Sequence, residues 1–348
     1  MVRRLVLHIG TAKAGSTSIQ HFLQQNQLLL QRAGYELVTC FGGFSQAQLP
    51  IIFYNSNHQL DFLTKRYGLI THEMRLQFGA RKRRIFEQQL DASDAQQWIL
   101  SSEFISYHLR CPAETQQLLA YLQELFDQIH LVYCARHALA AALSLHSTLM
   151  QLERTCFSLG PPQEYELVGQ HQQNLALWRP WLRPQDSLAV VPLQANAADQ
   201  AALHRQFCAS AQIPWQEYRI PERLNPSMSF KAMKVMSIIN AELPLFIKNR
   251  VNPARGTIAE WVVQRYQDWP KYQVGSAERE CFTQYYSNSS AWLNELMDDA
   301  GIDRWDQLSY GDEAAKFSSL DQDPFGAADQ EEAEELIRQW KQRKPSEF

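Results

Sequence analysis

The hydrophobic positions of this chain alternate between short apolar runs and longer segments with helical spacing. Short runs at 5–9, 35–38, 98–100, 129–134 and 188–191 predict five strands. Helical spacing occupies the segments near 18–30, 58–90, 113–126, 138–153, 164–179 and 199–211. Because strands that alternate with helices form βαβ units, the pattern predicts an α/β fold with a mostly parallel sheet. After about residue 227 the pattern is helical, with no convincing strand.

The domain organisation follows from where these patterns end. We predict one domain over residues 1–308, with a helical insertion at about 56–92 and a largely helical C-terminal portion. Residues 309–348 form a separate peripheral segment in this prediction. Within it, 312–335 is rich in Asp and Glu with interspersed Gly and Pro, which is typical of a solvated loop. That loop leads into a short terminal helix around 329–343.

Composition narrows the possible classes of protein. The formal net charge of −4 gives no nucleic-acid-binding signature over the whole chain. No apolar run approaches the length of a membrane span, and the N-terminus enters a strand at once, so we expect neither a span nor a signal peptide. The 6 cysteines are scattered without a CxxC pair, which predicts reduced thiols and no metal site.

The loop after the first strand has the layout of a phosphate-binding site. Gly10 to Thr17 reads GTAKAGST and stands between a predicted strand and a predicted helix. Backbone N–H groups and the helix dipole at such a helix start favour an anion. The loop is not a standard Walker A motif, because Ser16 rather than a lysine follows Gly15. The alternative is a turn of small residues, capped by Ser16 or Thr17, with an exposed Lys13.

Two further strand ends carry polar side chains that suit ligand binding. Arg136 ends the fourth strand, where open α/β sheets bind ligands, and its guanidinium can grip a phosphate with two hydrogen bonds. Ser144 follows eight residues later on the next helix. Glu103 follows the third strand at the same edge of the sheet. The alternatives are a surface arginine, a helical serine bonded to its own backbone, and a helix-terminal glutamate below a serine cap.

These motifs resemble those of sulfotransferases that use 3′-phosphoadenosine 5′-phosphosulfate (PAPS). Lys–x–Gly–Ser–Thr after a first strand resembles their 5′-phosphosulfate loop, and the string HIGTAKAGSTSIQ is similar to the bacterial carbohydrate-type members. The resemblance implies a three-layer, P-loop-like parallel sheet flanked by helices. It also implies PAPS as the sulfuryl donor, 3′-phosphoadenosine 5′-phosphate (PAP) as the product, and no required metal.

The resemblance also assigns the donor-binding residues. The 5′ side of PAPS would contact the loop and helix start, and the 3′-phosphate would contact an arginine and a serine after the fourth strand. The donor-binding residues are thus Lys13, Ala14, Gly15, Ser16, Thr17, Ser18, Arg136 and Ser144. The chain departs from the family pattern at Ala14, where Ser or Thr is usual, and after Arg136, where His137-Ala138 replaces the usual Asp-Pro.

For catalysis the resemblance implies a general base and a cation at the leaving oxygen. Glu103 matches the catalytic glutamate of glycan-type sulfotransferases, and Lys13 would balance charge on the phosphosulfate. His108 is the rival base, since cytosolic small-molecule sulfotransferases use a histidine in this general region. A structural role for His108 is the alternative.

The acceptor is expected to be a small molecule or a glycan hydroxyl. The basic residues of the 58–90 segment form either a solvated helix face or a cationic wall for an anionic glycan. A P-loop kinase or a non-catalytic nucleotide-binding module are the competing functions, but a kinase needs a magnesium-binding carboxylate that neither the third nor the fourth strand end supplies. The membrane anchor of Golgi sulfotransferases is absent here, which predicts a cytoplasmic enzyme.

Overall fold

A computed structural model describes residues 2–193, 200–222, 228–301, 304 and 327–342. The chain divides into two compact units. The first unit combines Met1–Ala141, Glu166–Leu224 and Tyr286–Gln307, and the second combines Ala142–Tyr165, Asn225–Tyr285 and Leu308–Phe348. The predicted division into 1–308 and 309–348 stays a prediction, and most of the acidic loop lies outside the described residues.

The first unit is built on a five-stranded sheet in which every pairing is parallel. The strands are β1 (Arg4–His8), β2 (Tyr35–Leu37), β3 (Gln97–Ser101), β4 (Gln128–Ala135) and β5 (Ser187–Pro192). Their order in the sheet is β2-β3-β1-β4-β5. All five predicted strands are therefore present, and the predicted α/β class with a parallel sheet flanked by helices is confirmed.

The helices occupy the segments between and after the strands. They are α1 (Ser16–Gln25), α2 (Gln27–Arg32), α3 (Phe62–Arg66), α4 (His72–Asp91), α5 (Glu103–His108), α6 (Pro112–Leu125), α7 (Ala138–Leu152), α8 (Glu166–Gly169), α9 (His171–Ala176), α10 (Ala202–Ser210), α11 (Phe230–Glu242), α12 (Ile258–Arg265), α13 (Ser276–Tyr285), α14 (Ser287–Asp299) and α15 (Ala327–Gln342). Two further strands, β6 (Phe246–Ile247) and β7 (Arg250–Val251), form a small antiparallel pair. Short 3₁₀ turns span Pro50–Phe53, Pro162–Tyr165 and Arg179–Trp181.

Strand β1 lies at the centre of the sheet and is buried on both faces. Leu5, Val6 and Leu7 are almost fully inaccessible, as is typical of a parallel strand covered by helices. Its last residue, His8, is in register with Ser101 of β3 and Val132 of β4. The carboxyl ends of β1, β3 and β4 therefore meet at one edge, which is where open α/β sheets bind ligands.

Helix α1 packs on this sheet through an apolar stripe. Ile19, Phe22 and Leu23 are buried at helical spacing and join a core cluster that includes Val6 and Val132. This packing fixes α1 directly after the loop that follows β1. The start of α1 is consequently held at the carboxyl edge of the sheet.

The second unit has its core around α11. The residues of this helix from Ala232 to Asn240 are buried, and α15 packs there through Leu336, Ile337 and Trp340. The Lys231 ammonium lies 2.5 Å from an Asp329 carboxylate oxygen, which pairs the two helices electrostatically. The predicted terminal helix near 329–343 corresponds to α15.

Two details differ from the sequence prediction. The pair β6–β7 lies in a region expected to hold no strand, and it forms because Lys248 and Asn249 adopt positive φ angles of 50° and 62°, as a tight hairpin requires. The 164–179 segment, expected as one helical pattern, is broken into short pieces. There the Ser289 hydroxyl donates a hydrogen bond to the Gly169 carbonyl, which takes that group out of a continuous helix.

Candidate functional site

The loop between β1 and α1 curls through three residues in the left-handed region. Gly10, Lys13 and Gly15 have φ angles of 93°, 65° and 81°. A lysine in this region is uncommon and is strained unless its surroundings hold it there. Thr11 anchors the loop, because its N–H and its hydroxyl donate to the Cys134 carbonyl of β4 at 2.8 Å and 3.2 Å. Left-handed backbone is a feature of anion-binding loops, although the Thr11 and Ala14 N–H groups here donate to the Cys134 and Thr11 carbonyls.

The start of α1 leaves its first N–H groups directed at the loop. Gly15 is the cap residue and no side chain caps the helix, so the N–H groups of the first turn have no partner within the helix. The Ser16 hydroxyl donates to the Thr11 carbonyl at 3.1 Å, and the Ser18 hydroxyl lies 3.0 Å from His204 Nε2. Thr17 is half-buried, and Ala14 is buried in the core beneath the loop. The Ser16 and Ser18 hydroxyls therefore both have partners within the protein.

Glu103 begins α5 and lies directly against this loop. The N–H of the preceding residue, Ser102, donates to the His8 carbonyl at 2.9 Å, which fixes the start of α5 beside β1. The Gln20 side-chain amide donates to Glu103 Oε2 at 2.6 Å. The Ser102 hydroxyl does not cap α5, so a simple serine-capped helix end does not describe this position.

Lys13 and Glu103 interact electrostatically in this site. Burial raises the pKa of Glu103, while the Gln20 hydrogen bond and the Lys13 ammonium act in the opposite direction. Burial lowers the pKa of Lys13, which Glu103 raises and Arg136 lowers further. The structure thus brings the Lys13 amine close enough to the Glu103 carboxylate and the Arg136 guanidinium for both to act on its pKa.

Gly10 allows the loop to approach Glu103 this closely. A Cβ added at Gly10 would lie 2.9 Å from both Cα and Cβ of Glu103, and its φ of 93° also disfavours a side chain. We expect Gly10→Ala to lower the free energy of unfolding by about 2–3 kcal/mol in urea titrations. The matched control is Gly34→Ala, at φ 87° with open space around the new Cβ. It should cost only about 1 kcal/mol; equal costs for the two variants would contradict this contact.

Arg136 follows β4 and its guanidinium reaches the loop. Its Nη1 donates to the Lys13 carbonyl at 3.0 Å, so it supports the left-handed turn. His171 Nε2 donates to the Arg136 carbonyl at 2.7 Å, and the other ring nitrogen of His171 lies 3.0 Å from the Tyr133 hydroxyl. Burial lowers the pKa of His171 to about 4, so this ring is neutral near pH 7. His171 thereby orients the backbone that carries Arg136.

Ser144 lies on α7, in the part of that helix that belongs to the second unit. It is half-buried, and its carbonyl accepts a hydrogen bond from the Thr148 hydroxyl at 3.3 Å. Its expected pairing with Arg136 around a phosphate stays a prediction.

His108 belongs to a network of buried and partly buried polar side chains at the far end of α5. Its Nδ1 lies 2.7 Å from Asp61 Oδ2, which also accepts a hydrogen bond from the Tyr54 hydroxyl at 2.7 Å. His58 joins the network, with Nδ1 3.0 Å from Glu114 Oε1 and Nε2 3.5 Å from Asp61 Oδ2. His108 therefore pairs with the carboxylate of Asp61, whereas Glu103 pairs with the side-chain amide of Gln20.

The charge of this network predicts a pH-dependent stability. Burial lowers the pKa of His58, but hydrogen bonds to Asp61 and Glu114 outweigh it and raise the pKa to about 9. A raised folded-state pKa contributes stability that is complete below pH 6.5 and is lost as the pH rises through about 9. We expect His58→Gln to be more destabilising at pH 6 than at pH 10, by on the order of 1 kcal/mol because the pair is partly screened. Urea titrations measure it, with the exposed His72→Gln as control; a pH-independent cost of His58→Gln would contradict the ion pairs.

Several basic residues of the 58–90 segment contact other parts of the protein. The Arg83 guanidinium lies over the Phe53 and Tyr121 rings, 5.0 Å and 4.8 Å from their centroids. The Lys82 ammonium donates to the Cys40 carbonyl at 2.8 Å, and Arg75 is only 5% exposed. Part of the predicted cationic face therefore packs internally.

Sequence reasoning missed three residues of the site. Gln20 and His171 support Glu103 and Arg136, and Asp61 binds His108. The only signal for Gln20 is a polar residue on the apolar stripe of α1. No comparable signal marks His171 or Asp61.

Comparison of the chain with protein-family models, with curated proteins and with solved structures gives no match. Among the described residues, no helix combines the length and apolar character needed to cross a membrane.

Proposed function

We propose that this protein is a sulfotransferase that moves the sulfuryl group of PAPS to an acceptor hydroxyl, of a carbohydrate or glycan. The observation that carries the proposal is that Glu103 and Arg136 both contact the Lys13 loop: Glu103 packs against Gly10, and the Arg136 guanidinium donates to the Lys13 carbonyl at 3.0 Å. The strand order β2-β3-β1-β4-β5 supports a three-layer, P-loop-like arrangement around that edge.

The residues of the loop fit the 5′ end of PAPS. The uncapped first turn of α1 and the left-handed loop offer N–H groups to a phosphate. Burial lowers the pKa of Lys13, and an anion bound beside its side chain would stabilise the charged ammonium. Arg136 and Ser144 are assigned to the 3′-phosphate, which is the group that distinguishes PAP from adenosine 5′-phosphate.

The proposed transfer is a single in-line displacement. The acceptor oxygen forms a bond to sulfur while the bond from sulfur to the 5′-phosphate oxygen breaks, and PAP leaves. Glu103 takes the proton of the acceptor hydroxyl, and Lys13 holds positive charge near the departing oxygen. Gln20 keeps the Glu103 carboxylate in place through its 2.6 Å hydrogen bond. The electrons of the broken bond stay on the 5′-phosphate oxygen of PAP, the proton stays on Glu103 until it is released to solvent, and no metal is required by this scheme.

Glu103 is preferred to His108 as the base because Glu103 begins α5 in direct contact with Gly10 of the loop, whereas His108 lies at the other end of that helix. The kinase alternative is disfavoured because β3 ends at Ser101 and β4 at Ala135 rather than at an aspartate. A non-catalytic module has no need of a buried carboxylate next to the loop lysine.

The test is transfer of ³⁵S from labelled PAPS to a panel of sugars, polysaccharides, lipids and phenols in the presence of EDTA. The proposal predicts label on a carbohydrate acceptor and release of PAP. Transfer of ³²P from γ-labelled ATP with magnesium, and none from PAPS, would establish the kinase instead. PAP binding without transfer to any class of acceptor would favour the non-catalytic module.

A further inference from the structure

A cavity of about 220 Å³ lies between α1 and the carboxyl ends of β2 and β3. We propose that it binds one uncharged sugar ring of the acceptor, an inference that rests on the proposed function. That volume is more than ten times the ~15 Å³ that a cavity needs, by the same measure, to hold one water molecule, which suits a single ring rather than a longer chain.

The cavity adjoins the proposed base through Gln20. Gln20 lines the cavity and donates its amide hydrogen bond to Glu103 Oε2. Ser101, the last residue of β3, also lines the cavity and precedes Glu103 by two positions. A ring held here would therefore contact Gln20, the residue that is hydrogen-bonded to Glu103.

The lining of the cavity has the chemistry of a sugar site. Its polar side chains are amides and hydroxyls, which pair with sugar hydroxyls as both donors and acceptors. They include Gln20, Gln24, Gln27, Thr39 and Ser101. Gln20 is 2% exposed, and its Oε1 is a buried acceptor without a hydrogen-bond partner among the described residues. A sugar hydroxyl would supply the missing donor.

Phe44 gives the cavity an apolar face at its rim. It lines the cavity, is 42% exposed and packs against His21, with 4.5 Å between ring centroids. An aromatic ring that is open on one face suits the C–H face of a pyranose, which has an apolar body and polar edges.

The charge of the lining favours a neutral ring over an anionic one. The lining residues all belong to the described part of the chain, and none of them carries a charge. A carboxylate or sulfate placed here would be desolvated without a cationic partner, which is unfavourable. Lys82 is not part of the lining, and its ammonium donates to the Cys40 carbonyl. The cavity therefore discriminates between two sugars that differ only in charge.

The experiment is saturation-transfer NMR of the full chain with PAP present. The probes are methyl glucoside, methyl galactoside and methyl mannoside, and methyl glucuronide is the charged counterpart of the first. We expect saturation transfer to at least one neutral glycoside and none to the glucuronide. Phe44→Ala and Gln24→Ala, both at exposed positions, should each weaken that binding about tenfold or more. Trp269→Ala, an exposed aromatic of the second unit, should leave it unchanged.

Three results would overturn the inference: no transfer to any of the three neutral glycosides, glucuronide binding as strong as the neutral binding, or wild-type binding in both cavity variants. Calorimetry with PAP on the same samples keeps the two proposals apart. PAP binding without glycoside binding would remove the sugar site and leave the donor assignment. Glycoside binding without PAP binding would leave the sugar site and remove the donor assignment.

Discussion

Replacing Glu103 by glutamine is expected to lower the rate of sulfuryl transfer by about 10²–10⁴-fold and to leave the affinity for PAP nearly unchanged. Glutamine keeps the shape of the side chain and can still pair with Gln20, but it cannot accept the proton of the acceptor hydroxyl. Single-turnover transfer from labelled PAPS measures the rate, and calorimetry measures the affinity. Glu280→Gln, at an exposed position of α13, is the matched control and should behave like the wild type.

The role of Glu103 as a base also predicts the direction in which activity changes with pH. Burial raises the pKa of Glu103 above its ordinary value near 4.5, and a base works only when it is deprotonated. Activity should therefore rise with pH through that raised pKa, and the rising limb should be absent from the residual activity of Glu103→Gln. Near-full activity of Glu103→Gln combined with inactivity of His108→Ala would reverse the two roles. If both variants remain active, the assignment of a glycan-type base fails.

Replacing Arg136 by alanine is expected to weaken PAP binding about 10–150-fold, which corresponds to the loss of about 1.5–3 kcal/mol for a hydrogen-bonded charged pair. Adenosine 5′-phosphate lacks the 3′-phosphate and should lose far less. A small loss for both ligands is expected as well, because Arg136 also donates to the Lys13 carbonyl and supports the loop.

Two further variants sharpen the test of Arg136. Arg136→Lys keeps the charge but not the paired donors, so it should lie between the wild type and Arg136→Ala for PAP. Arg338→Ala, at an exposed position of α15, is the control and should bind both nucleotides normally. Equal losses for PAP and adenosine 5′-phosphate in Arg136→Ala would show that Arg136 does not bind the 3′-phosphate.

The parts of the site that could be predicted from the sequence are those placed by strand ends. Lys13, Glu103 and Arg136 each follow a short apolar run, and parallel strands carry their carboxyl ends to one edge whatever the details of packing. The same reasoning located the five strands of the sheet. Strands and their ends are marked by short apolar runs in the local sequence, so they can be recognised before the fold is known.

The supporting residues could not be predicted because their partners are remote in sequence. Gln20 lies 83 residues from Glu103, and His108 lies 47 residues from Asp61. The Ser16 hydroxyl donates to the Thr11 carbonyl because the left-handed turn at Lys13 brings that carbonyl within 3.1 Å. Such pairings depend on tertiary packing rather than on local pattern.

Calorimetric titration of the protein with PAP in EDTA, alongside titration with ATP and magnesium, tests the central claim most directly. The Lys13 loop, the uncapped start of α1 and Arg136 predict that PAP binds at one site per chain without a metal, and that ATP with magnesium binds much more weakly. Tight binding of ATP with magnesium and none of PAP would contradict the assignment of this site to a PAPS-dependent sulfotransferase.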